Sequence, residues 1–271
     1  MSIGRPEVKK FIIAEVPIEK AFDAWTEGNH LAQWYCDKVS GWPGLGSKIT
    51  MTWERFGYNS KYIISEIKPP TKIVYKAIIP GLGTQTITVS IRNYGMGSRI
   101  EVVETGPGAE GAEGAGDANS GWMMSMAALK IYLEKYWGRH RRNFFALTGS
   151  GYEKKQLMRY YQSEDGLASW LTDSGTIPDD IGEPVNLVLR TGKTVTGKVL
   201  VVTDHELIIS WDEIQGYIEM KSFEVNSDRK AICIRGSSFD ENLSADALKE
   251  IEGEMSKALG RLHDALLAEN S

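Results

Sequence analysis

The sequence predicts an α+β fold in which one domain occurs twice, each copy pairing an antiparallel sheet with a long C-terminal helix. Leu31-Ala32-Gln33-Trp34 returns as Leu167-Ala168-Ser169-Trp170, 136 residues later. A second landmark, Leu45-Gly46 ahead of a strand-like segment, returns at the same offset as Ile181-Gly182. A fixed period shared by two landmarks indicates a duplicated domain, because repeat architectures are recognised by self-similarity at a constant spacing.

The composition is that of a globular protein. The 42% hydrophobic and 25% charged residues match the averages for folded domains, and 271 residues is a length expected of two of them. No apolar run approaches the ~18 residues of a spanning helix and no signal peptide opens the chain, so we expect a cytoplasmic protein without membrane insertion. The net charge of −5 argues against nucleic-acid binding, whose affinity comes mostly from neutralised phosphates. Cys36 and Cys233 lie in different copies, and we expect no disulfide between them.

The first copy is predicted to begin with a strand and two short helices, followed by a meander. Apolar residues from Ile18 to Trp25 recur with helical spacing, and from Lys48 onward the apolar period changes to two, which is typical of half-buried antiparallel strands. Strands are predicted over residues 8–16, 48–54, 60–67, 72–78, 84–93 and 98–104. The glycine-rich segment 105–120 predicts a mobile loop, and Ser120 is predicted to cap a long helix from about Trp122 to Trp137.

The second copy repeats this plan with fewer aromatic residues. We expect a helix over residues 153–161, strands between residues 184 and 234, and a closing helix over residues 244–267. The predicted domains are residues 1–138 and 152–271, joined by a linker at 139–151. Lysines among the aliphatic residues of its strands favour a supporting role for the second domain, and an intrachain pseudo-dimer of the two domains is a hypothesis.

The first copy resembles a known family over roughly residues 6–137, and the second copy resembles it weakly. The first strand, the segment from Pro17 to Trp25, Trp34, the meander, and Gly121-Trp122 at the start of a helix are together similar to homologues of the activator of the ninety-kilodalton heat-shock protein ATPase. That family belongs to the START-like, or SRPBCC, superfamily. The resemblance implies a helix-grip fold, in which an antiparallel sheet wraps around a long C-terminal helix and encloses an elongated apolar cavity.

Residues that would line such a cavity follow from the strand period. If Trp53 faces the long helix, Met51 shares its side, because strand side chains repeat every two residues. Large apolar side chains on the sheet and the helix complete the set of candidate ligand-binding residues, for which plain core packing is the alternative role: Trp34, Met51, Trp53, Phe56, Tyr75, Trp122 and Met126. The corresponding second-copy positions, Trp170, Leu189 and Trp211, are weaker candidates for ligand contact.

Three functions are compatible with the sequence. The first is a non-enzymatic binding protein whose first domain holds a small hydrophobic or amphipathic ligand between sheet and helix. The second is a chaperone cofactor or another protein-interaction module, as the resemblance implies. The third is a cyclase- or hydrolase-like enzyme that uses the same cavity.

Catalytic and cofactor motifs are missing from the sequence. The four histidines lie in no recognisable catalytic signature, and no spaced Cys, His or acidic motif for a metal is present. The glycine-rich segment lacks the Lys-Ser/Thr ending of a phosphate-binding loop. We therefore expect no cofactor, no metal and no assigned catalytic residue.

Overall fold

The computed structural model describes residues 7–107, 117–150, 154–204, 206–226 and 229–269. The chain divides into two compact units, residues 1–139 and residues 140–271, which we call the first unit and the second unit. In the described residues each unit contains a seven-stranded antiparallel sheet and ends on a long helix. This confirms the predicted α+β class with two helix-grip domains.

The first unit begins with a strand and two short helices, continues with six further strands, and ends on the closing helix. Its strands lie in the spatial order β1-β7-β6-β5-β4-β3-β2. In chain order the elements are β1 (Glu7–Ala14), α1 (Ile18–Thr26), α2 (Gly28–Leu31), β2 (Lys38–Gly41), β3 (Lys48–Trp53), β4 (Tyr58–Lys68), β5 (Lys72–Ile79), β6 (Gly83–Tyr94), β7 (Gly97–Thr105) and α3 (Asp117–Lys135).

Period-two burial builds this sheet. In β7 the buried residues are Ser98, Ile100, Val102 and Glu104, and the residues between them are half-buried. Because side chains alternate across a strand, these four share one face. A hydrogen bond from the Trp122 indole of α3 to Glu104 identifies that face as the one toward the long helix.

The first unit differs from the prediction in two details. The closing helix begins at Asp117, so Ser120 is a buried residue inside α3 and not its cap. The polar and small residues before Trp122 carry no apolar period, although they extend the helix. β2 was not predicted, because three of its four residues are exposed and give no alternation. Of the predicted mobile loop, residues 108–116 lie outside the described residues.

The second unit repeats the topology of the first. Its strands lie in the spatial order β8-β14-β13-β12-β11-β10-β9, which matches the first sheet strand for strand and supports the duplication. In chain order the elements are β8 (Arg142–Ser150), α4 (Lys154–Gln162), α5 (Glu164–Trp170), β9 (Thr172–Ser174), β10 (Pro184–Leu189), β11 (Thr194–Val202), β12 (Glu206–Trp211), β13 (Gly216–Asn226), β14 (Arg229–Ser238) and α6 (Ala245–Glu269).

The predicted linker at 139–151 is wrong over most of its length. Residues Arg142–Ser150 form β8, which pairs with β14 along nine positions. Phe144 and Ala146 are buried while Leu147 is exposed, so the segment has the alternation of an ordinary strand. The basic residues that precede it obscure this pattern. The second unit therefore includes a strand that the sequence interpretation assigned to the connection.

One tryptophan holds the same position in both units. Trp34 Nε1 donates to the carbonyl oxygen of Ala24 at 2.9 Å, and Trp170 Nε1 donates to the carbonyl oxygen of Tyr160 at 2.9 Å. Both bonds span ten residues and both indoles are fully buried. The repeated motif is thus an anchor that ties the second short helix to the first.

Other features of the described residues concern the class of protein. No helix among them is long and apolar enough to cross a membrane. Cys36 and Cys233 are both buried and are not joined by a disulfide.

Candidate functional site

Five aromatic rings meet on the helix-facing side of the first sheet. Trp25 and Trp34 contact each other edge to face, with ring centroids 4.5 Å apart. Tyr35 stacks on Trp122 at 5.3 Å with an interplanar angle of 12°, and its other neighbour Trp53 lies 5.4 Å away in an edge-to-face contact. We call these five residues the aromatic cluster. It joins α1, the turn after α2, β3 and α3 into one apolar surface.

Two of the indole N–H groups in the cluster donate to main-chain carbonyl oxygens, and a third has no acceptor among the described residues. Trp53 Nε1 donates to the carbonyl oxygen of Tyr35 at 3.0 Å, and Trp34 is held by the anchor bond to Ala24. Trp25 is 1% exposed, yet its Nε1 finds no acceptor among the described residues. A buried donor without an acceptor costs about 1–3 kcal/mol, so it is a feature that requires an explanation.

A buried carboxylate lies beside the aromatic cluster. Glu104 is 5% exposed and lies one position before the end of β7. Its Oε1 accepts a hydrogen bond from Gln85 Nε2 at 2.6 Å, and its Oε2 accepts one from Trp122 Nε1. Both donors are neutral, and the described residues give Glu104 no ion pair. The site therefore contains a buried carboxyl group in an apolar surrounding.

Tyrosine hydroxyls complete the polar part of the site. Tyr62 donates to Gln85 Oε1 at 3.4 Å, which links it to Glu104 through the amide. Burial raises the pKa of Tyr62 to about 12. Burial, followed by the charges of Tyr62 and Glu104, raises the pKa of Tyr35 well above its ordinary value. These hydroxyls therefore stay protonated and act as hydrogen-bond donors near neutral pH.

The structure brings together four of the seven residues predicted to bind a ligand. Trp34, Trp53 and Trp122 belong to the aromatic cluster. Tyr75 lies on β5, contacts Tyr62 edge to face at 6.1 Å, and donates its hydroxyl to a main-chain carbonyl at the end of α1. Their assignment to a ligand stays a prediction, because close-packed rings are also what a core contains.

The other three predicted residues are less informative. Met51 and Met126 are buried on β3 and α3, as expected for side chains that face the interior between sheet and helix. The side chain of Phe56 lies outside the described residues. Among the described residues no three His, Cys, Asp or Glu side chains are grouped for a metal ion.

Glu104 and Gln85 were absent from the predicted set, although a signal for Glu104 was present. The residues at positions 98, 100 and 102 alternate onto one face of β7, and continuing that period by two reaches Glu104. A charged residue in the apolar row of a strand is more informative than another aromatic residue, because burying it needs compensation. Gln85 gave no such signal, since its role depends on the register between β6 and β7.

Both units have the helix-grip fold of START-like domains. Residues 15–134 match the family model of the activator of Hsp90 ATPase homolog 1-like protein. The matched segment lies within the first unit. No curated protein matches the sequence.

Three solved structures illustrate the similarity. DynU16, from the dynemicin biosynthetic locus, is 12% identical, covers 97% of this chain and 99% of its own, and has a TM-score of 0.42. The di-domain ARO/CYC BexL, from the BE-7585A biosynthetic pathway, is 11% identical over 95% of this chain and 97% of its own, with a TM-score of 0.43. The Aha1 dimer from Colwellia psychrerythraea is 18% identical over 49% of this chain and 98% of its own, with a TM-score of 0.44.

Proposed function

We propose that the first unit is a binding module that holds a small amphipathic molecule between its sheet and α3, against the aromatic cluster and Glu104. The supporting observation is the buried carboxylate, which has neutral hydrogen-bond donors and lies next to aromatic rings. Burying an ion costs of the order of several kcal/mol unless it is compensated. A residue that served packing alone would be replaced at little cost by an apolar side chain, so Glu104 favours a role in recognition.

The two parts of the site have different tasks in this proposal. The aromatic cluster supplies apolar surface, and burial of ligand against it is worth roughly 25 cal/mol per Å². Glu104, Gln85 and the tyrosine hydroxyls supply the few convergent polar groups that orient a ligand in a mainly apolar site. The unpaired Trp25 Nε1 is a further donor available to such a ligand.

The test is saturable binding of an uncharged hydrophobic dye, such as Nile red, to the full chain. Trp53→Ala removes a half-buried ring of the aromatic cluster, and we expect it to weaken dye binding at least about tenfold, because roughly 50 Å² or more of apolar contact is lost. Trp42→Ala is the matched control, since Trp42 is 78% exposed in a loop of the same unit. It should leave binding unchanged. No saturable binding, or equal loss in both variants, would exclude the proposal.

The same carboxylate favours one other candidate, a cyclase- or hydrolase-like enzyme. A buried carboxyl group near its substrate can act as a general acid or base. In that case Glu104→Gln would stop conversion of a bound compound while its binding persisted, which mass spectrometry of the recovered compound would reveal. The chaperone-cofactor alternative rests on the family alone.

A further inference from the structure

Glu104 has a distinctive charge environment. Among the buried residues that the structure describes in the first unit, it is the one Asp, Glu, Lys or Arg; the others in the polar group are serines and a threonine. Its hydrogen bonds from Gln85 and Trp122 satisfy one acceptor site on each oxygen and bring no positive charge. Each carboxylate oxygen can accept more than one hydrogen bond, so the group retains capacity for a further donor.

The second unit contains a buried carboxylate that a positively charged side chain compensates. Glu219 of β13 is fully buried, and Arg235 of β14 donates to it through two nitrogens, with Nη2 at 2.9 Å from Oε1. A two-pronged arginine is the usual means of compensating such a charge. Among the residues that the structure describes, the first unit supplies no equivalent side chain to Glu104.

The rings next to Glu104 also have no cation among the described residues. Lys20, Arg99 and Arg139 each lie over an aromatic ring in the first unit, but these rings are Trp137, Phe11 and Tyr136. Trp25 and Tyr35 flank Trp122, at centroid distances of 6.1 and 5.3 Å. Electron-rich ring faces within ~6 Å of a cation attract it, and several of them together recognise alkylammonium groups.

We infer that the ligand of the first unit carries a positively charged nitrogen, an alkylammonium group attached to an apolar body, with the charge against Glu104 and the rings of Trp25, Tyr35 and Trp122. The inference rests on the proposed function and adds the charge class of the ligand. A cation at this place supplies the counter-charge that the described residues do not give Glu104. The apolar body then lies along the remaining aromatic surface, where it displaces water.

The test compares three probes of equal chain length on the full protein: decyltrimethylammonium, 1-decanol and decanoate, all below their aggregation limits. Binding is followed by tryptophan fluorescence. We expect the ammonium probe to bind at least about tenfold more tightly than the alcohol, and decanoate to bind most weakly, because its charge opposes that of Glu104.

Two variants locate the effect. Glu104→Gln keeps the shape of the side chain and should abolish the preference for the ammonium probe while leaving 1-decanol binding within about twofold. Glu101→Gln is the matched control on the same strand, since Glu101 pairs with Lys9 and Arg99, both at 3.0 Å, on the other face. It should preserve the preference.

The outcomes separate the two proposals. Equal binding of the ammonium probe and the alcohol, or a preference that survives Glu104→Gln, would overturn the cation inference and leave the binding proposal standing. If none of the three probes bound, the proposed function itself would fail. Should Glu104→Gln unfold the protein, the order of the three probes on the unaltered chain still decides the inference.

Discussion

The two units share an anchor and differ in their interior. In both, a buried tryptophan donates to a main-chain carbonyl ten residues earlier, and in both it contacts an aromatic residue nine positions before it: Trp25 beside Trp34, and Tyr161 beside Trp170. At the same offset of 136 residues, Tyr35 and Trp53 of the aromatic cluster correspond to Leu171 and Leu189. The anchor was retained after duplication, whereas the rings of Tyr35 and Trp53 were not.

The register of the two sheets places a glycine where the first unit has its carboxylate. Because the strand orders are identical, the pairings can be followed across each sheet through equivalent positions. In the first unit the row is Val8, Glu104, Ile87, Tyr75 and Ile64. In the second unit it is Phe144, Gly236, Ile218, Ile209 and Val199.

Phe144 fills the space that a side chain at position 236 would use. A Cβ atom added to Gly236 would lie 2.2 Å from Cζ of Phe144, which is far inside van der Waals contact. The second unit thus replaces a small residue and a buried carboxylate by a ring and a glycine. At this position the same fold can therefore hold either a buried carboxylate or a packed ring, which is why the candidate site belongs to the first unit.

The largest expected effect concerns the tryptophan anchor, which both units share. Trp34→Ala and Trp170→Ala each remove a fully buried indole together with its anchor bond, and we expect each to lower the free energy of unfolding by about 3–5 kcal/mol. Hydrogen exchange, read separately for amides of each unit, measures the loss. Trp42→Ala, at an exposed indole, should cost less than about 0.5 kcal/mol. A loss confined to one of the two anchor variants would show that the anchors are not equivalent.

A smaller loss of stability is expected from a change at Gly236, where the interiors of the two units differ. Gly236→Ala should destabilise the second unit by about 1–3 kcal/mol, because the new methyl group overlaps the ring of Phe144. In a Phe144→Val background, which copies Val8 of the first unit, the same change should cost clearly less. Urea unfolding of the four members of this double-mutant cycle gives the coupling energy. Additive costs would mean that the nearby carbonyl of Tyr217, 2.6 Å from the added atom, is responsible instead.

The sequence predicted the fold better than it predicted the site. The meander from Lys48 to Glu104 followed from period-two alternation, and the repeat fixed the number of domains. β8 was missed because a basic run hides the alternation of Phe144 and Ala146, and β2 because an exposed edge strand has none. Local patterns thus sufficed where one face of an element is buried, the other is exposed, and no basic run hides the alternation.

For the site, the sequence identified rings but not their polar partner. Trp34, Trp53 and Trp122 are large and aromatic, so composition and period were enough to propose them. Glu104 and Gln85 acquire their role from the pairing of β6 with β7 and from the position of α3, which bring together residues 19 and 18 positions apart. Such register is a tertiary property, and a single sequence specifies it too weakly to be read directly.

The smallest expected effect is a pH dependence of the stability of the first unit, which arises at His30. His30 Nδ1 lies within hydrogen-bond distance of the Tyr132 hydroxyl, at 2.6 Å, and that hydroxyl also accepts a hydrogen bond from Gly138 N at 3.2 Å. The imidazole stacks on Trp137 at a centroid distance of 3.9 Å. The corresponding residue of the second unit is Gly166, which cannot titrate.

Burial lowers the pKa of His30 below its ordinary value of 6.5. This effect outweighs the charges of Asp23 and Glu27, which raise the pKa. The unfolded chain therefore binds a proton at His30 more tightly than the folded chain does. The stability that neutral His30 contributes is fully present above pH 6.5. It is lost as the pH falls through the lower pKa of the folded state. We expect hydrogen-exchange protection of the first unit to decrease between pH 7.5 and 5.5 after correction for intrinsic exchange rates. His30→Phe keeps a ring on Trp137 and should flatten that decrease. If the variant shows the same slope as the unaltered chain, another group of the first unit is responsible for the pH dependence.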